Sequence, residues 1–200
     1  MKKTLAWGNL LTAIILIAVN YIVGVRGING NTVSTVSNRY ENLFTPASYA
    51  FSIWGIIFLG LLAFGIFQIV RANSTTKAND FIDRGGPWLI IANIFTTVWV
   101  FFWIMDYTLL SVICMFGILI SLIILIIRLN MERWDAPLPI IAFVWWPICL
   151  FSGWISVATI ANVTSYLAKI GFQYPFSPIT WTVIMIVVAI ALNLFMVFNR

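Results

Sequence analysis

The sequence predicts an all-α membrane protein, a polytopic bundle of about six transmembrane helices. Of its 200 residues, 62% are hydrophobic and only 8% are charged, whereas soluble proteins average roughly 25% charged residues. The charged residues are concentrated between long apolar runs, and each run is long enough for one or two bilayer crossings of roughly 20 residues each. We therefore expect a single membrane domain and no soluble domain.

The first half of the chain contains two predicted spans and a long polar loop. Residues 5–25 form the first span, which we interpret as a retained helix because no convincing small-x-small cleavage site follows it. Residues 26–45 are rich in Asn, Ser, Thr and Gly without a helical period, which predicts a loop. Thr45 and Pro46 suit the N-cap and first helical position of the second span, residues 46–70.

A charged connection, residues 71–86, leads into an apolar stretch long enough for two crossings. The only charged residue between positions 87 and 127 is Asp106, near the middle. We place the third and fourth spans at 87–105 and 108–127, with Asp106 in a tight turn at the membrane surface. The alternative is an Asp106 buried at mid-membrane, which would be a functional group by default.

The last third of the chain predicts two further spans, residues 140–168 and 179–198, with polar or proline-containing connections before each. Six spans place both termini on one side of the membrane, and the positive-inside rule identifies that side. Eight of the eleven Lys and Arg residues fall on the terminal side, which predicts cytoplasmic termini. The eight are Lys2, Lys3, Arg71, Lys77, Arg84, Arg128, Arg133 and Arg200, against Arg26, Arg39 and Lys169 on the other side.

The ionisable residues give no indication of catalysis. The sequence has no histidine, and its six acidic residues all lie in predicted loops or turns. It therefore lacks the usual general base, the commonest metal ligand and a midplane proton site. Cys114 and Cys149 lie in apolar segments, which disfavours a disulfide or a zinc site. We expect no catalytic residue, no metal and no required cofactor, and topology explains the basic residues without nucleic acid as a partner.

Aromatic residues are abundant, with ten Trp, sixteen Phe and six Tyr. Tryptophan near the end of a span is typically an interfacial anchor. This interpretation suits Trp7, Trp88, Trp134 and Trp181. Trp54, Trp99 and Trp154 lie deeper, in spans two, three and five. A buried indole needs a hydrogen-bond partner for its N–H or a ligand to contact, so these three residues mark a candidate binding region.

Span two presents an aromatic face and two glycines. Phe51, Trp54 and Phe58 occupy positions i, i+3 and i+7, which places them on one side of a helix. Gly55 and Gly65 on the same span predict close approach of a neighbouring helix. Helix packing alone accounts for any one of these residues.

Span five presents an indole, a small residue and an amide in one row. Trp154, Ala158 and Asn162 recur every four residues, and Asn93 in span three is a second intramembrane amide. Packing again explains each residue individually. Together, aromatic surfaces with sparse amides and no charge favour a flat apolar ligand over an ion or a sugar.

These residues resemble the tryptophan-rich sensory protein family, TspO/MBR, whose mitochondrial relatives are the translocator proteins or peripheral benzodiazepine receptors. Residues 46–58, Pro-Ala-Ser-Tyr-Ala-Phe-Ser-Ile-Trp-Gly-Ile-Ile-Phe, are similar to the family's Pro-x-x-Trp-x-Phe-x-x-Trp-x-x-Leu-Tyr. Residues 154–162 are similar to its Trp-x-x-x-Ala-x-x-x-Asn row. The resemblance covers roughly residues 1–168. Tyr49 stands where the family has Trp, and the sixth span has no counterpart in the five-helix core.

The resemblance implies a five-helix core, residues 1–168, with an additional transmembrane helix in residues 169–200, as in a longer bacterial branch of the family. It implies a location in the bacterial cytoplasmic membrane, a homodimer, and a pocket lined by helices one, two and five beneath the first loop. Family members bind porphyrins and other tetrapyrroles, sterols and benzodiazepine-type ligands. They have been linked to transport, stress signalling and light-dependent porphyrin breakdown.

We therefore expect a membrane receptor or carrier for a flat hydrophobic ligand, a porphyrin or haem-type tetrapyrrole, with a stress-sensing or transport role. The candidate ligand-binding residues are Tyr49, Phe51, Trp54, Phe58, Asn93, Trp99, Trp154, Ala158 and Asn162. Two alternatives stay open. One is a small transporter of another hydrophobic substrate that uses the sixth helix. The other is a porphyrin-degrading enzyme with Trp54 or Trp154 as a redox-active group.

Overall fold

The structure is a computed structural model that describes residues 1–40, 43–74, 80–172 and 177–199. Within these ranges the chain is helical and contains no β-strand, which confirms the predicted all-α membrane bundle. Lys77 and Arg200, two of the basic residues that predict the topology, lie outside the described residues.

The described part of the chain contains nine α-helices and three short segments of another helical type that adjoin them. The bounds are α1 Lys2–Val19 with a π-helix at Asn20–Val25, α2 Val33–Arg39, a 3₁₀ helix at Ser48–Ser52 before α3 Ile53–Ala72, α4 Asp80–Gly85, α5 Trp88–Ile104, α6 Thr108–Leu129, α7 Leu138–Ile140 with a π-helix at Ile141–Trp145, α8 Trp146–Lys169, and α9 Pro178–Asn199.

Four helical segments are long and apolar enough to cross a membrane, and they correspond to predicted spans one, two, four and five. These segments are Lys2–Val25, Ser48–Ala72, Thr108–Leu129 and Leu138–Lys169. Shorter apolar helices at Trp88–Ile104 and Ile179–Phe195 occupy the positions of spans three and six. The 17 residues of α5 rise about 25 Å, which is near the lower limit for a crossing.

The predicted start of span two needs a small correction. Pro46 was expected at the first helical position, but helical structure begins at Ser48, and the α-helix begins at Ile53. Ala47 has an extended conformation, with a ψ of 144°. Its carbonyl accepts from the Ala50 N–H at 2.8 Å, so the helix starts through a 3₁₀ turn after the proline.

Five helices pack side by side in a closed ring. Helix α1 contacts α3 and α5, α5 contacts α6, α6 contacts α8, and α8 returns to α3. Helix α9 packs against α8, where the Asn193 amide donates a hydrogen bond of 2.9 Å to the Ser156 hydroxyl. Most large apolar side chains described on α9 are exposed, as expected of a helix that faces lipid. The ring thus surrounds an interior to which α9 is external.

The first loop contains a short helix. Residues 26–45 were expected to lack helical structure, but α2 covers Val33–Arg39. Its start is a capping box in which Thr32 accepts from the Thr35 N–H and Thr35 accepts from the Thr32 N–H, at 3.2 and 2.6 Å. The prediction was wrong here because the helix has only seven residues and uses Thr where Glu or Gln is the usual signal.

The connection between α5 and α6 agrees with the predicted turn. Asp106 lies between the two helices with a φ of 65°, a left-handed conformation that aspartate tolerates better than most residues. Its side chain is 27% exposed. Asp106 is therefore at the end of the bundle and not at the middle of a span.

Gly65 is required for the close packing of α3 against α1. A Cβ atom at this position would lie 3.1 Å from both the Cα and the Cβ of Leu10. A Cβ atom at Gly55 would meet nothing within 4 Å. The predicted close approach of a neighbouring helix is therefore found at Gly65 and not at Gly55.

We expect Gly65→Ala to lower the free energy of unfolding by about 1–3 kcal/mol, since the new methyl group must push α1 away. Gly55→Ala is the matched control on the same helix and should leave stability unchanged or slightly increased, because alanine is the better helix former. Thermal unfolding of the detergent-solubilised variants measures both effects. Equal unfolding midpoints for the two variants would contradict the packing described for Gly65.

Candidate ligand-binding site

A cluster of aromatic rings from α3 and the 3₁₀ helix before it, α5 and α8 fills the bundle near the first loop. Trp54 is at its centre, and its ring centroid lies 5.4 Å from Phe58, 6.2 Å from Trp99, 6.0 Å from Phe151 and 6.4 Å from Trp154. Two further contacts extend it, Trp99 to Trp103 at 6.0 Å and Phe51 to Trp154 at 6.1 Å. We call these seven residues the aromatic cluster. Such spacings are those of favourable aromatic pairs.

A small cavity, which we call the inner cavity, lies against this cluster. It has a volume of about 30 Å³, which is room for about one water molecule. Residues of the first loop, α3, α5 and α8 surround it. The lining residues are Ser37, Pro46, Phe51, Trp54, Trp99, Trp103, Trp154, Ala158, Ala161, Asn162 and Ser165.

A larger cavity, the side cavity, lies between the end of α1 and α3. Its volume is about 280 Å³, and its lining residues are Asn20, Gly24, Val25, Thr32, Val33, Ser34, Ser48, Phe51, Trp54 and Phe58. Phe51 and Trp54 line both cavities, so these two side chains form the wall between them. The combined space is close to roughly 300 Å³, the lower limit of typical ligand pockets.

Two of the indoles that line the inner cavity have N–H groups without a partner among the described residues. The indole N–H groups of Trp99 and Trp154 are buried without a partner. Trp103, by contrast, donates to the Val33 carbonyl at 3.0 Å. The side-chain oxygen of Asn162 accepts from the Ser111 hydroxyl at 2.8 Å, which fixes the orientation of the amide. A ligand or water with acceptor atoms would satisfy donors that are costly to bury unpaired.

The structure brings together most of the predicted site residues. Phe51, Trp54, Trp99, Trp154, Ala158 and Asn162 line the inner cavity, and Phe58 lines the side cavity. Tyr49 is 83% exposed and lines neither cavity. Asn93 is fully buried, but its amide donates to the Thr12 hydroxyl on α1 at 3.1 Å, and it also lines neither.

Several lining residues were not identified from the sequence. Trp103 follows Trp99 by four residues and therefore shares its helical face, so the spacing that identified span five would have found it. Ser165 lies seven residues after Ala158 on α8 and shares that face in the same way. Ser37 lies on α2 in the first loop, where no periodic pattern indicates which side faces the bundle.

The first loop is fixed to the rest of the protein by a polar group that we call the Asp106 cluster. The Tyr40 hydroxyl lies 2.8 and 3.0 Å from the two Asp106 carboxylate oxygens. Lys169, at the end of α8, forms an ion pair with the same carboxylate at 3.1 Å and also donates to the Asp106 carbonyl. Arg39 completes the cluster at 3.6 Å. One carboxylate thus joins the loop, the α5–α6 turn and α8.

A second set of hydrogen bonds holds the start of α2. The Asn31 amide donates to the Ile104 carbonyl at 3.1 Å, and Arg39 donates to the Asn31 side-chain oxygen at 2.7 Å. The bond from Trp103 to Val33 adds a second contact to α5. The part of the first loop from Asn31 to Tyr40 is therefore held over the aromatic cluster, and we call this segment the lid.

The pKa of Tyr40 makes the lid sensitive to alkaline pH. Burial, followed by the hydrogen bond to Asp106, raises the pKa of the phenol above its usual value. The folded state therefore favours the protonated phenol, and this contribution to stability is complete below about pH 10. It is lost as the pH rises through the raised pKa, because a phenolate would face a carboxylate.

We expect the wild-type protein to unfold at a higher temperature than Tyr40→Phe at neutral pH, and this difference should decrease as the pH rises above about 10. The phenylalanine variant keeps the ring and removes the titrating hydroxyl, so the difference isolates Tyr40 from lysine titration. Thermal unfolding of both proteins from pH 8 to pH 11 provides the measurement. A difference that is constant over this range would contradict the assigned role.

Comparison with known proteins identifies a family. A family model described as TSPO-like protein matches residues 6–200. The match includes α9, whereas the resemblance visible in the sequence covered roughly residues 1–168. No curated protein and no solved structure matches the chain.

Proposed function

Since the chain belongs to the TSPO-like protein family, we propose that this integral membrane protein is a receptor or carrier for a flat hydrophobic ligand, a porphyrin or related tetrapyrrole. The observation that carries the proposal is the wall formed by Phe51 and Trp54 between the inner and side cavities. Rotation of these two side chains would join the cavities into one pocket between aromatic surfaces. Whether the protein senses stress or transports the ligand would then depend on how a bound ligand changes the position of the lid.

The chemistry of the pocket favours a planar ligand that carries acceptor atoms. The faces of Trp54 and Trp99 are nearly parallel, at 29°, and Trp154 meets Trp54 edge-on at 83°. Aromatic faces bind flat apolar molecules, and the unpaired N–H groups of Trp99 and Trp154 need acceptors. A porphyrin combines an apolar macrocycle with peripheral carboxylates and so supplies both features. It would be a bound ligand and not a cofactor that the protein requires.

The lid lies next to the proposed pocket and blocks the entry of a large ligand. Thr32 and Ser34 line the side cavity, and Ser37 lines the inner cavity, so the first loop borders the proposed pocket on both sides of its wall. A ligand of porphyrin size exceeds the space in the closed structure. Its entry therefore requires movement of the lid and rotation of Phe51 or Trp54.

The alternative of a transporter that uses the sixth helix gains no specific support. Described residues of α9 contribute no lining to the inner or the side cavity, and α9 lies outside the five-helix ring. Measurement of ligand flux into proteoliposomes distinguishes a five-helix ring that transports the ligand from one that only binds it. We also propose a homodimer in the bacterial cytoplasmic membrane with both termini inside.

Titration of the detergent-solubilised protein with protoporphyrin tests the proposal. We expect saturable quenching of tryptophan fluorescence with a parallel shift of porphyrin absorbance. Trp154→Ala should weaken binding at least tenfold, because it removes an edge-on ring and an N–H donor. Trp146→Ala is the control on the same helix, since Trp146 is 60% exposed and lines neither cavity. Equal affinity of the two variants, or quenching that does not saturate, would reject the site.

A further inference from the structure

A third cavity lies at the end of the bundle opposite to the aromatic cluster. It is formed by α4, the end of α6 and the segment before α7, and its volume is about 550 Å³. The aromatic cluster lies near the end of α5, whereas α4 directly precedes the start of α5. We call this space the basal cavity. Its floor is apolar and consists of Phe81, Leu129 and Ile140, each at most 8% exposed.

The rim of the basal cavity carries a cation that is available for a ligand. Asp80 and Arg84 both line the rim. Lys2 pairs with Asp80 at 3.3 Å and with Asp83 at 3.4 Å, so both acids share this one ammonium group. The guanidinium of Arg84 forms no ion pair with a described residue. Arg128 lies beside it and donates to the Arg84 carbonyl at 2.7 Å, which adds a second positive charge.

The position of the cavity matches the headgroup level of a bilayer. Helix α6 ends at Leu129 and α7 begins at Leu138, so the cavity lies where these segments leave the membrane. Trp134 lines the rim with its side chain 43% exposed and meets Trp145 edge-on at 6.0 Å. Tryptophan is typical of this level. A ligand here can extend apolar groups inward and charged groups outward.

We propose that the basal cavity binds an anionic phospholipid, with its phosphate at Arg84 and the upper part of its acyl chains on Phe81, Leu129 and Ile140. Basic pockets between membrane helices bind anionic headgroups in this way. A free phosphate would leave the apolar floor uncovered. Lys2, Arg84 and Arg128 outnumber Asp80 and Asp83 by one charge at this rim, which favours an anionic headgroup over a zwitterionic one. This site is separate from the ligand pocket and does not depend on its assignment.

Native mass spectrometry of the delipidated, detergent-solubilised protein tests the proposal with two added lipids, phosphatidylglycerol and phosphatidylcholine. We expect wild type to retain phosphatidylglycerol preferentially. Arg84→Gln should lower this retention about fivefold, the factor that one basic residue contributes at an anionic membrane surface. Arg71→Gln is the control, because Arg71 is near the same end, stacks over Phe67 at 5.0 Å and does not line the cavity. Arg84 is exposed, so its replacement should leave the fold intact.

Three outcomes would overturn the proposal. The first is equal retention of the two lipids by wild type. The second is equal retention of phosphatidylglycerol by Arg84→Gln and Arg71→Gln. The third is displacement of phosphatidylglycerol by millimolar inorganic phosphate, which would identify a site for a free anion. Trp134→Ala provides an independent variant and should also lower retention, since it removes the rim of the cavity. Porphyrin titration of each variant reports separately on the ligand pocket.

Discussion

Replacing Trp54 with alanine should lower ligand affinity more than tenfold and reduce the free energy of unfolding by about 3–5 kcal/mol, the range for removing a buried aromatic side chain. Trp54 is 8% exposed and contacts four other rings of the aromatic cluster. Its loss would also remove the wall between the inner and side cavities. The two effects have separate causes, one in packing and one in the surface offered to the ligand.

Trp54→Phe separates these causes. Phenylalanine retains most ring contacts, so we expect a smaller loss of stability and an intermediate loss of affinity. Trp7→Ala is the control for tryptophan removal, since Trp7 is 59% exposed and lines neither cavity. Protoporphyrin absorbance titration and thermal unfolding measure the two quantities. Unchanged affinity in a folded Trp54→Ala protein would show that the ligand binds elsewhere.

The sequence predicted the helices and many of the residues that line the two cavities, because both depend on regular periodicity. Hydropathy located the apolar segments to within a few residues, since a lipid-facing helix is apolar around most of its surface. The recurrence of Trp154, Ala158 and Asn162 at every fourth residue placed them on one face of α8, and the structure shows all three at the inner cavity. A regular helix converts such spacing directly into a shared direction.

Tyr49 and Asn93 are the two predicted site residues that line neither cavity, and helical geometry explains both. Tyr49 lies in the 3₁₀ helix Ser48–Ser52, where three residues complete a turn, so its direction does not follow from the α-helix that begins later. Asn93 precedes Trp99 by six residues, which corresponds to roughly 240° of rotation. It therefore faces α1, where Thr12 is its partner. Counting residues gave depth in the membrane but not the neighbouring helix.

The contacts of the Asp106 cluster do not follow from the sequence for another reason. Its hydrogen bonds and ion pairs join residues that are 66 and 63 positions apart, and no local pattern indicates that three segments meet at one carboxylate. The turn at Asp106 was predicted, but its partners were not. Lid contacts of this kind depend on the packed arrangement of all five helices, which only the structure provides.

Asp106→Asn should speed the opening of the lid while it leaves the helical bundle intact. The substitution keeps the size of the side chain but removes the charge that compensates Arg39 and Lys169, which approach to 3.6 and 3.1 Å. A hydrogen bond to a charged group contributes about 1.5–3 kcal/mol. We therefore expect amide hydrogen exchange in α2 to accelerate at least tenfold, since about 1.4 kcal/mol corresponds to a factor of ten.

Hydrogen exchange followed by mass spectrometry measures this effect on α2, with α6 as the internal reference. Asp135→Asn is the control, because Asp135 is an exposed acid in the connection before α7, at the other end of the bundle. Acceleration in both variants, or in α6 as well as α2, would indicate general destabilisation and contradict a specific role of Asp106 in the lid.

The kinetics of ligand binding then test whether the lid controls access to the pocket. If the first loop is closed over both the empty and the occupied pocket, Asp106→Asn weakens the closed lid equally in both states. Association and dissociation rates of protoporphyrin should then increase together, and the dissociation constant should change little. An increase in the dissociation rate alone would mean that the lid contacts stabilise the bound state only. Unchanged rates despite faster hydrogen exchange would mean that the ligand enters by a route that avoids the first loop.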